Sequence, residues 1–63
     1  MAEEAKEALQ IAIIAEEEHR WNDALEAYQK VIQINYEMGD IERAKAFEEK
    51  LNEITRNLKK KFL

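Results

Sequence analysis

Only one residue of this chain, Gly39, ordinarily interrupts a helix, because the sequence contains no proline and no other glycine. Alanine, glutamate, lysine and leucine are abundant, and all four are strong helix formers. A chain of 63 residues has room for one small hydrophobic core. The sequence therefore predicts an all-α fold and a single domain that spans residues 1–63.

Three helices are predicted, over about residues 3–19, 23–38 and 41–61. Asp23 is placed to cap the second helix, and Glu26 completes a capping-box pattern. We expect Gly39 to end the second helix in the left-handed conformation and Asp40 to cap the third. Because this link is short, the second and third helices should form an antiparallel hairpin, within an antiparallel three-helix bundle. The alternative is one continuous helix through Gly39, since a glycine costs a helix only about 1 kcal/mol.

The second and third helices differ in the width of their apolar faces. The third helix carries a narrow stripe, typical of packing on one side, and the stripe comprises Ala44, Phe47, Leu51, Ile54 and Leu58, extended by Phe62. The apolar arc of the second helix covers more than half its circumference, which predicts that it lies between the other two. Trp21 is expected to plug the turn before it, and Tyr28 and Tyr36 are expected in the core or at its boundary.

The first helix has more apolar residues than one packed face needs. A row of small side chains would let a neighbouring helix approach closely, and the row consists of Ala5, Ala8, Ala12 and Ala15. Ile14 falls on the opposite side, so no single packing direction buries Ile11, Ile13 and Ile14 together. We expect either neighbours on several sides of this helix or an exposed apolar surface.

No combination of residues indicates an enzyme or a metal site. His19 is the single histidine, and a carboxylate-bridged metal pair built on Glu16 and His19 would need a second such motif. The chain has no cysteine and no glycine-rich phosphate loop. We predict no catalytic residue, no metal and no cofactor. Glu16, Glu17 and Glu18 are predicted to be solvated, or to attract a basic partner.

The charge and hydropathy patterns restrict the partners further. A net charge of −4 argues against nucleic acid, and the basic run at residues 59–61 is expected to complement the end of a helix dipole. The apolar run at residues 8–15 is far shorter than the ~20 residues that cross a bilayer. We therefore expect a soluble, cytoplasmic protein with no integral membrane segment.

Residues 19–34, HRWNDALEAYQKVIQI, resemble the second half of a tetratricopeptide (TPR) repeat. The matching positions are Trp21, Ala24, Leu25, Tyr28 and Val31. Ala12 stands where that family has a small residue for close helix approach. The segment MGDIERAKAFEEKL resembles another second half, without the helix that would separate the two. A TPR-like hairpin followed directly by a third antiparallel helix resembles the MIT (microtubule-interacting and trafficking) domain, and the resemblance covers about residues 5–36.

This resemblance implies a protein-interaction module that holds a helical or extended peptide of a partner in a groove between the second and third helices. The predicted lining is Ala27, Val31, Ile34 and Met38, facing Phe47 and Leu51. The families imply partners in membrane-remodelling or chaperone assemblies. The alternative of a different class is a structural homodimer joined through Ile11 and Ile14, without a peptide ligand. A designed or excised helical scaffold is the third hypothesis.

Overall fold

The computed structural model of the chain describes residues 2–62, and the side chains of residues 3–60. Three α-helices make up nearly all of it: α1 is Ala2–Glu17, α2 is Trp21–Glu37 and α3 is Ile41–Phe62. α2 packs against both α1 and α3, and no strand occurs in residues 2–62. The predicted all-α three-helix bundle is therefore confirmed, and the alternative of a continuous helix through Gly39 is wrong.

The turn between α1 and α2 is formed by a histidine in the left-handed conformation. His19 has a φ of 60°. The backbone N–H of His19 donates to the carbonyl of Glu16 (3.1 Å), and that of Arg20 donates to the carbonyl of Ala15 (2.8 Å). These two bonds form a Schellman motif, which usually has glycine where His19 stands. Since this conformation costs a side-chain-bearing residue about 1–2 kcal/mol, packing of α1 on α2 must supply the compensation.

This turn also corrects the predicted start of α2. The helix begins at Trp21, and Arg20 occupies the cap position without a side-chain hydrogen bond to the backbone. The predicted cap at Asp23 is therefore wrong, because Asp23 already lies in the first turn. Its carboxylate pairs with Arg20 instead (3.2 Å). A negative charge there still favours the helix dipole.

The turn between α2 and α3 repeats the same motif with glycine. Gly39 has a φ of 81°, and the N–H of Asp40 donates to the carbonyl of Asn35 (2.8 Å). Asp40 then accepts a hydrogen bond from the backbone N–H of Arg43 (3.4 Å), as expected of a cap. Gly39 thus has the predicted left-handed conformation.

Small residues of α1 and α2 form the centre of the core. Ala12, Ala15 and Ala24 have no exposed surface, and Tyr28 and Ile54 pack with them in one cluster. Alanine side chains allow the two helix backbones to approach closely. The burial of Ala12 and Ala15 agrees with the role predicted for the alanine row.

The predicted stripe of α3 faces this core. Ala44 and Ile54 are buried, while Phe47, Leu51 and Leu58 are half-buried against the cluster. The side chain of Phe62, predicted to extend the stripe, lies outside the described residues. This burial pattern shows that α3 packs on one side only, as the narrow stripe predicts.

The backbones of α1 and α3 lie further apart than those of directly packed helices, although side chains of both reach the same core cluster. Over the part of the chain that the structure describes, no Cα atom of α1 lies within 8 Å of one in α3. Directly packed helices have axes only about 8–10 Å apart. The second helix therefore lies between its neighbours, as its wide apolar arc predicts. The separation leaves a groove between α1 and α3, with α2 at its base.

The surplus isoleucines of α1 are exposed. Ile11 is 57% exposed, Ile13 43% and Ile14 50%. α3 does not cover Ile14, because half of this residue remains exposed and no described Cα atom of α3 lies within 8 Å of one in α1. Of the two expectations for this helix, an exposed apolar surface is the one found.

Candidate interaction site

Residues from all three helices line a cleft at the end of the bundle where α1 begins, α2 ends and α3 begins. We refer to it as the three-helix cleft, and its volume is about 370 Å³. Its lining residues are Ala5, Lys6 and Leu9 of α1, Val31, Asn35 and Met38 of α2, and Arg43 and Phe47 of α3. The cleft exists because α1 and α3 are separated, so that α2 forms its floor.

The structure brings together half of the residues predicted to line a groove. Val31, Met38 and Phe47 line the three-helix cleft. Ile34 and Leu51 are half-buried, and Leu51 packs against the core cluster. The contribution of α1 was missed, because the groove was expected between the second and third helices alone.

Ala27, the remaining predicted residue, lines a different cleft of about 560 Å³. We call it the acidic cleft, and its lining comes from α1 and α2 only: Glu4, Glu7, Ala8, Ile11, Asp23, Glu26, Ala27 and Lys30. It shares no lining residue with the three-helix cleft. Ala27 therefore lies apart from Val31, Met38 and Phe47.

The floor of the three-helix cleft combines apolar and amide groups. Val31 is 1% exposed and Asn35 is 4% exposed. The side-chain nitrogen of Asn35 donates to the backbone carbonyl of Val31 (2.9 Å). A carbonyl can only accept, so this bond identifies the donor end of the amide and fixes its orientation. The ring of Phe47 lies 6.2 Å from that of Tyr28, between the cleft and the core.

The charge of the three-helix cleft is opposite to that of the whole chain. Among the described residues, Lys6 and Arg43 are its only charged lining residues and none of the lining is acidic, although the chain has a net charge of −4. Arg43 forms one long contact with Asp40 (3.9 Å) in which both side chains are exposed. Such a pair contributes little, so the guanidinium retains donors for another anion.

A carboxylate close to the C-terminal end of α1 links all three helices. The buried hydroxyl of Tyr28 on α2 donates to Glu16 on α1 (2.8 Å). The ammonium group of Lys50 on α3 lies 2.9 Å from the other oxygen of Glu16. We call this arrangement the Glu16–Tyr28–Lys50 clasp. The prediction that Glu16 is simply solvated is therefore wrong, because its side chain is only 26% exposed and is paired.

The clasp shifts the titration of its three members. Desolvation raises the pKa of Glu16, but the hydrogen bonds from Lys50 and Tyr28 outweigh it, and the net pKa lies below the ordinary 4.5. Burial and the bond to Glu16 raise the pKa of Tyr28 to about 12. The hydrogen bond to Glu16 also raises the pKa of Lys50. The charged carboxylate, the neutral phenol and the ammonium ion are thus the stable forms at neutral pH.

Replacing Glu16 with glutamine is expected to lower the free energy of unfolding by about 1 kcal/mol at neutral pH. Glutamine keeps an acceptor for Tyr28 but loses the charge that attracts Lys50. Because the folded-state pKa of Glu16 is lowered, its contribution is complete above about pH 4.5 and is lost as the pH falls through the folded-state pKa. The difference between the wild-type chain and Glu16→Gln should therefore shrink in acid, as measured by urea unfolding over a series of pH values.

Glu17→Gln is the matched control, because Glu17 is the exposed neighbour of Glu16 on the same helix. This control should change the free energy of unfolding little and with no comparable pH dependence. Equal effects of the two substitutions would show that the clasp does not join the helices in solution.

The other singled-out aromatic residues lie at the periphery. Trp21 is half-buried against the core cluster, and its ring meets the ring of His19 edge-on at 5.3 Å. This position at the first turn agrees with the expected plug. Tyr36 is 40% exposed and donates a hydrogen bond to Glu48, which raises the pKa of Tyr36. Tyr28 belongs to the core, whereas Tyr36 belongs to the surface of α2.

Two kinds of site are absent from the described residues. No group of three histidine, cysteine, aspartate or glutamate side chains there is arranged to hold a metal ion. Within the same range, no helix has both the length and the apolar character needed to cross a membrane.

Comparison of the chain with protein-family models, with curated proteins and with solved structures finds no match in any of the three. The TPR-like and MIT-like character thus remains a resemblance carried by individual residues. The all-α three-helix architecture is seen directly in the structure.

Proposed function

We propose that this chain is a non-enzymatic protein-interaction module that binds a short acidic peptide segment of a partner in the three-helix cleft. The observation that carries the proposal is an apolar cleft with two cationic side chains and no acidic one, in a chain of net charge −4. Opposite charge would attract the segment and orient it. One large apolar side chain of the segment would fill the cleft.

The shape and chemistry of the cleft support a peptide ligand. A volume of about 370 Å³ is at the lower end of the range for ligand pockets and accommodates a few side chains rather than a whole domain. Met38, which is 44% exposed, offers a flexible apolar wall that adapts to different side chains. Asn35 also gives the cleft an amide group, which can hydrogen-bond a peptide backbone as an apolar side chain cannot.

The test uses three blocked hexapeptides and the isotope-labelled chain in solution. One peptide combines Asp and Glu with a central Leu-Phe pair, the second replaces the acids with Lys, and the third replaces Leu-Phe with Ser-Ser. We expect only the first to shift the amide resonances of Val31, Asn35 and Phe47 in a saturable way. Shifts of equal size with the lysine peptide would refute charge-directed binding, and absence of saturation with all three would refute the site.

A charge-reversal pair sharpens this test. Arg43→Glu should weaken binding of the acidic peptide about tenfold, which corresponds to about 1.4 kcal/mol. Lys45→Glu makes the same change on the same helix, but Lys45 does not line the cleft. Equal weakening by the two variants would indicate attraction to the whole chain rather than binding at the cleft.

Self-association through Ile11 and Ile14 is the alternative function of a different class. The exposure of these side chains, 57% and 50%, favours it. The carboxylates that flank Ile11 in the acidic cleft oppose it, since a two-fold contact would bring like charges together. A thermal midpoint that rises with protein concentration would support self-association and exclude a strictly monomeric module.

A further inference from the structure

The exposed isoleucines of α1 border a strongly acidic surface. Ile11 lines the acidic cleft, and Ile14 lies one turn further along the same side of α1. The cleft contains four carboxylates and one ammonium group, Lys30, so the formal charge of its lining is −3. Apolar side chains left in water beside unbalanced charge are typical of an interaction surface.

Among the described residues, most of these carboxylates form no ion pair. Asp23 pairs with Arg20, but among the described residues no ion pair involves Glu4, Glu7, Glu26 or Lys30. Lys30 offsets only one of the four negative charges, so the cleft keeps a net negative potential. It is concentrated on both walls of a cleft, since Glu4 and Glu7 come from α1 and Asp23 and Glu26 from α2. A cleft whose two walls each carry a net negative charge attracts an oppositely charged partner.

We propose that the acidic cleft, together with Ile11 and Ile14, is a second docking surface that binds a basic amphipathic helix of a partner protein. The aliphatic side of such a helix would cover Ile11, Ile14 and the half-buried Ala27. Its lysine or arginine side chains would reach the carboxylates on either wall. From Glu4 to Ile14 the surface extends over about 15 Å of α1, which three turns of a partner helix match.

Charge favours a basic helix over a second copy of the chain or a lipid surface as the partner of this cleft. A second copy of the chain, docked symmetrically through Ile11 and Ile14, would place two acidic clefts against each other, and like charges in contact oppose association. An anionic lipid surface would repel the cleft for the same reason. A basic helix matches both the apolar and the charged parts of the surface. Because the two clefts share no lining residue, the proposal does not depend on the peptide site proposed above.

The probe is a synthetic helix of about 11 residues, with leucines on one face and lysines elsewhere. A scrambled peptide of the same composition, which has no continuous leucine face, is the peptide control. Binding to the full chain is measured by fluorescence anisotropy of the labelled peptides at low and at physiological salt. We expect saturable binding of the amphipathic peptide, at least tenfold weaker binding of the scrambled one, and weakening of both by salt. Equal affinities for the two peptides would overturn the proposal, because charge alone would then explain the binding.

Variants of the chain locate the binding surface. Glu7→Lys and Ile11→Ser should each lower the affinity of the chain for the amphipathic peptide about tenfold. Glu49→Lys, an exposed charge reversal on α3 outside the acidic cleft, should lower this affinity less than threefold. Helical circular dichroism of each variant serves as the folding control. Equal weakening by Glu7→Lys and Glu49→Lys would overturn the proposal.

Whether a second copy of the chain occupies this surface is tested with the chain alone, without peptide. Sedimentation velocity is expected to show a monomer for both the wild-type chain and Ile14→Lys. A wild-type dimer that Ile14→Lys dissociates would overturn the proposal and assign the surface to a second copy. Arg43→Glu, which changes the three-helix cleft, should leave binding of the basic helix unchanged or stronger. This variant therefore shows whether the acidic cleft binds the basic helix even when the three-helix cleft is disrupted.

Discussion

Replacing Ile54 with alanine is expected to lower the free energy of unfolding by about 2–5 kcal/mol. Ile54 is 4% exposed and is the α3 member of the core cluster, so truncation removes apolar burial and leaves a cavity. A domain of this length has a total stability of about 3–9 kcal/mol. The variant should therefore be close to unfolding at room temperature, with lost helical circular dichroism at low urea concentration.

Ile14→Ala is the matched control for Ile54→Ala. Both substitutions remove the same atoms from a helix and raise helix propensity equally, but Ile14 is 50% exposed. We expect its effect to remain within about 0.5 kcal/mol. The difference between their free energies of unfolding therefore measures the contribution of burying the Ile54 side chain. Similar destabilisation by both would mean that Ile14 is covered in solution, by α3 or by another molecule.

Replacing Ala12 with leucine is expected to destabilise the chain by about 1–3 kcal/mol through overpacking. Ala12 has no exposed surface and packs with Ala15 and Ala24 in the core cluster between α1 and α2. Three added carbon atoms must push α1 away from α2. That movement would also stretch the bond between Glu16 and Tyr28, which depends on the same pair of helices.

Gln10→Leu controls for the added hydrophobicity, because Gln10 is exposed on the same helix. Its urea-unfolding midpoint should stay near that of the wild-type chain. A midpoint for Ala12→Leu that equals or exceeds the Gln10→Leu value would contradict the close packing of α1 on α2. Both midpoints come from the same circular dichroism measurement, so the comparison is direct.

Much of the fold follows from local properties of the sequence. The lack of proline, the position of Gly39 and the cap at Asp40 predict α2 and α3 together with the turn between them. The alanine row predicts the side of α1 that packs, because helical periodicity places Ala8, Ala12 and Ala15 on one face. These features depend on residues within a few positions of one another.

The first turn could not be predicted in the same way. Histidine has no intrinsic preference strong enough to mark the end of α1, and it takes the left-handed conformation because α1 and α2 must pack face to face. Asp23 and Glu26 form an acceptable capping pattern, but tertiary packing begins α2 at Trp21 and makes the pattern irrelevant. The free energy contributed by local helix propensity is smaller than that contributed by burying Ala12, Ala15 and Ala24.

The candidate sites depended on tertiary structure even more strongly. Helical periodicity shows that Glu16 lies on the same side of α1 as Leu9, but not that Lys50 of α3 faces that side. The three-helix cleft arises because α1 and α3 are held apart across α2, and a distance between helices is not encoded by either helix alone. Val31, Met38 and Phe47 were within reach of sequence reasoning, whereas Lys6 and Leu9 were not.

The sequence by itself determined three amphipathic helices, their order, the hairpin at Gly39 and an apolar surplus at residues 8–15. Only the tertiary structure decided that this surplus remains exposed at Ile11, Ile13 and Ile14. The physical reason is that periodicity specifies the direction of a side chain relative to its own helix axis. Whether another helix lies in that direction depends on how α2 packs with each neighbour, and α2 places α3 away from Ile14.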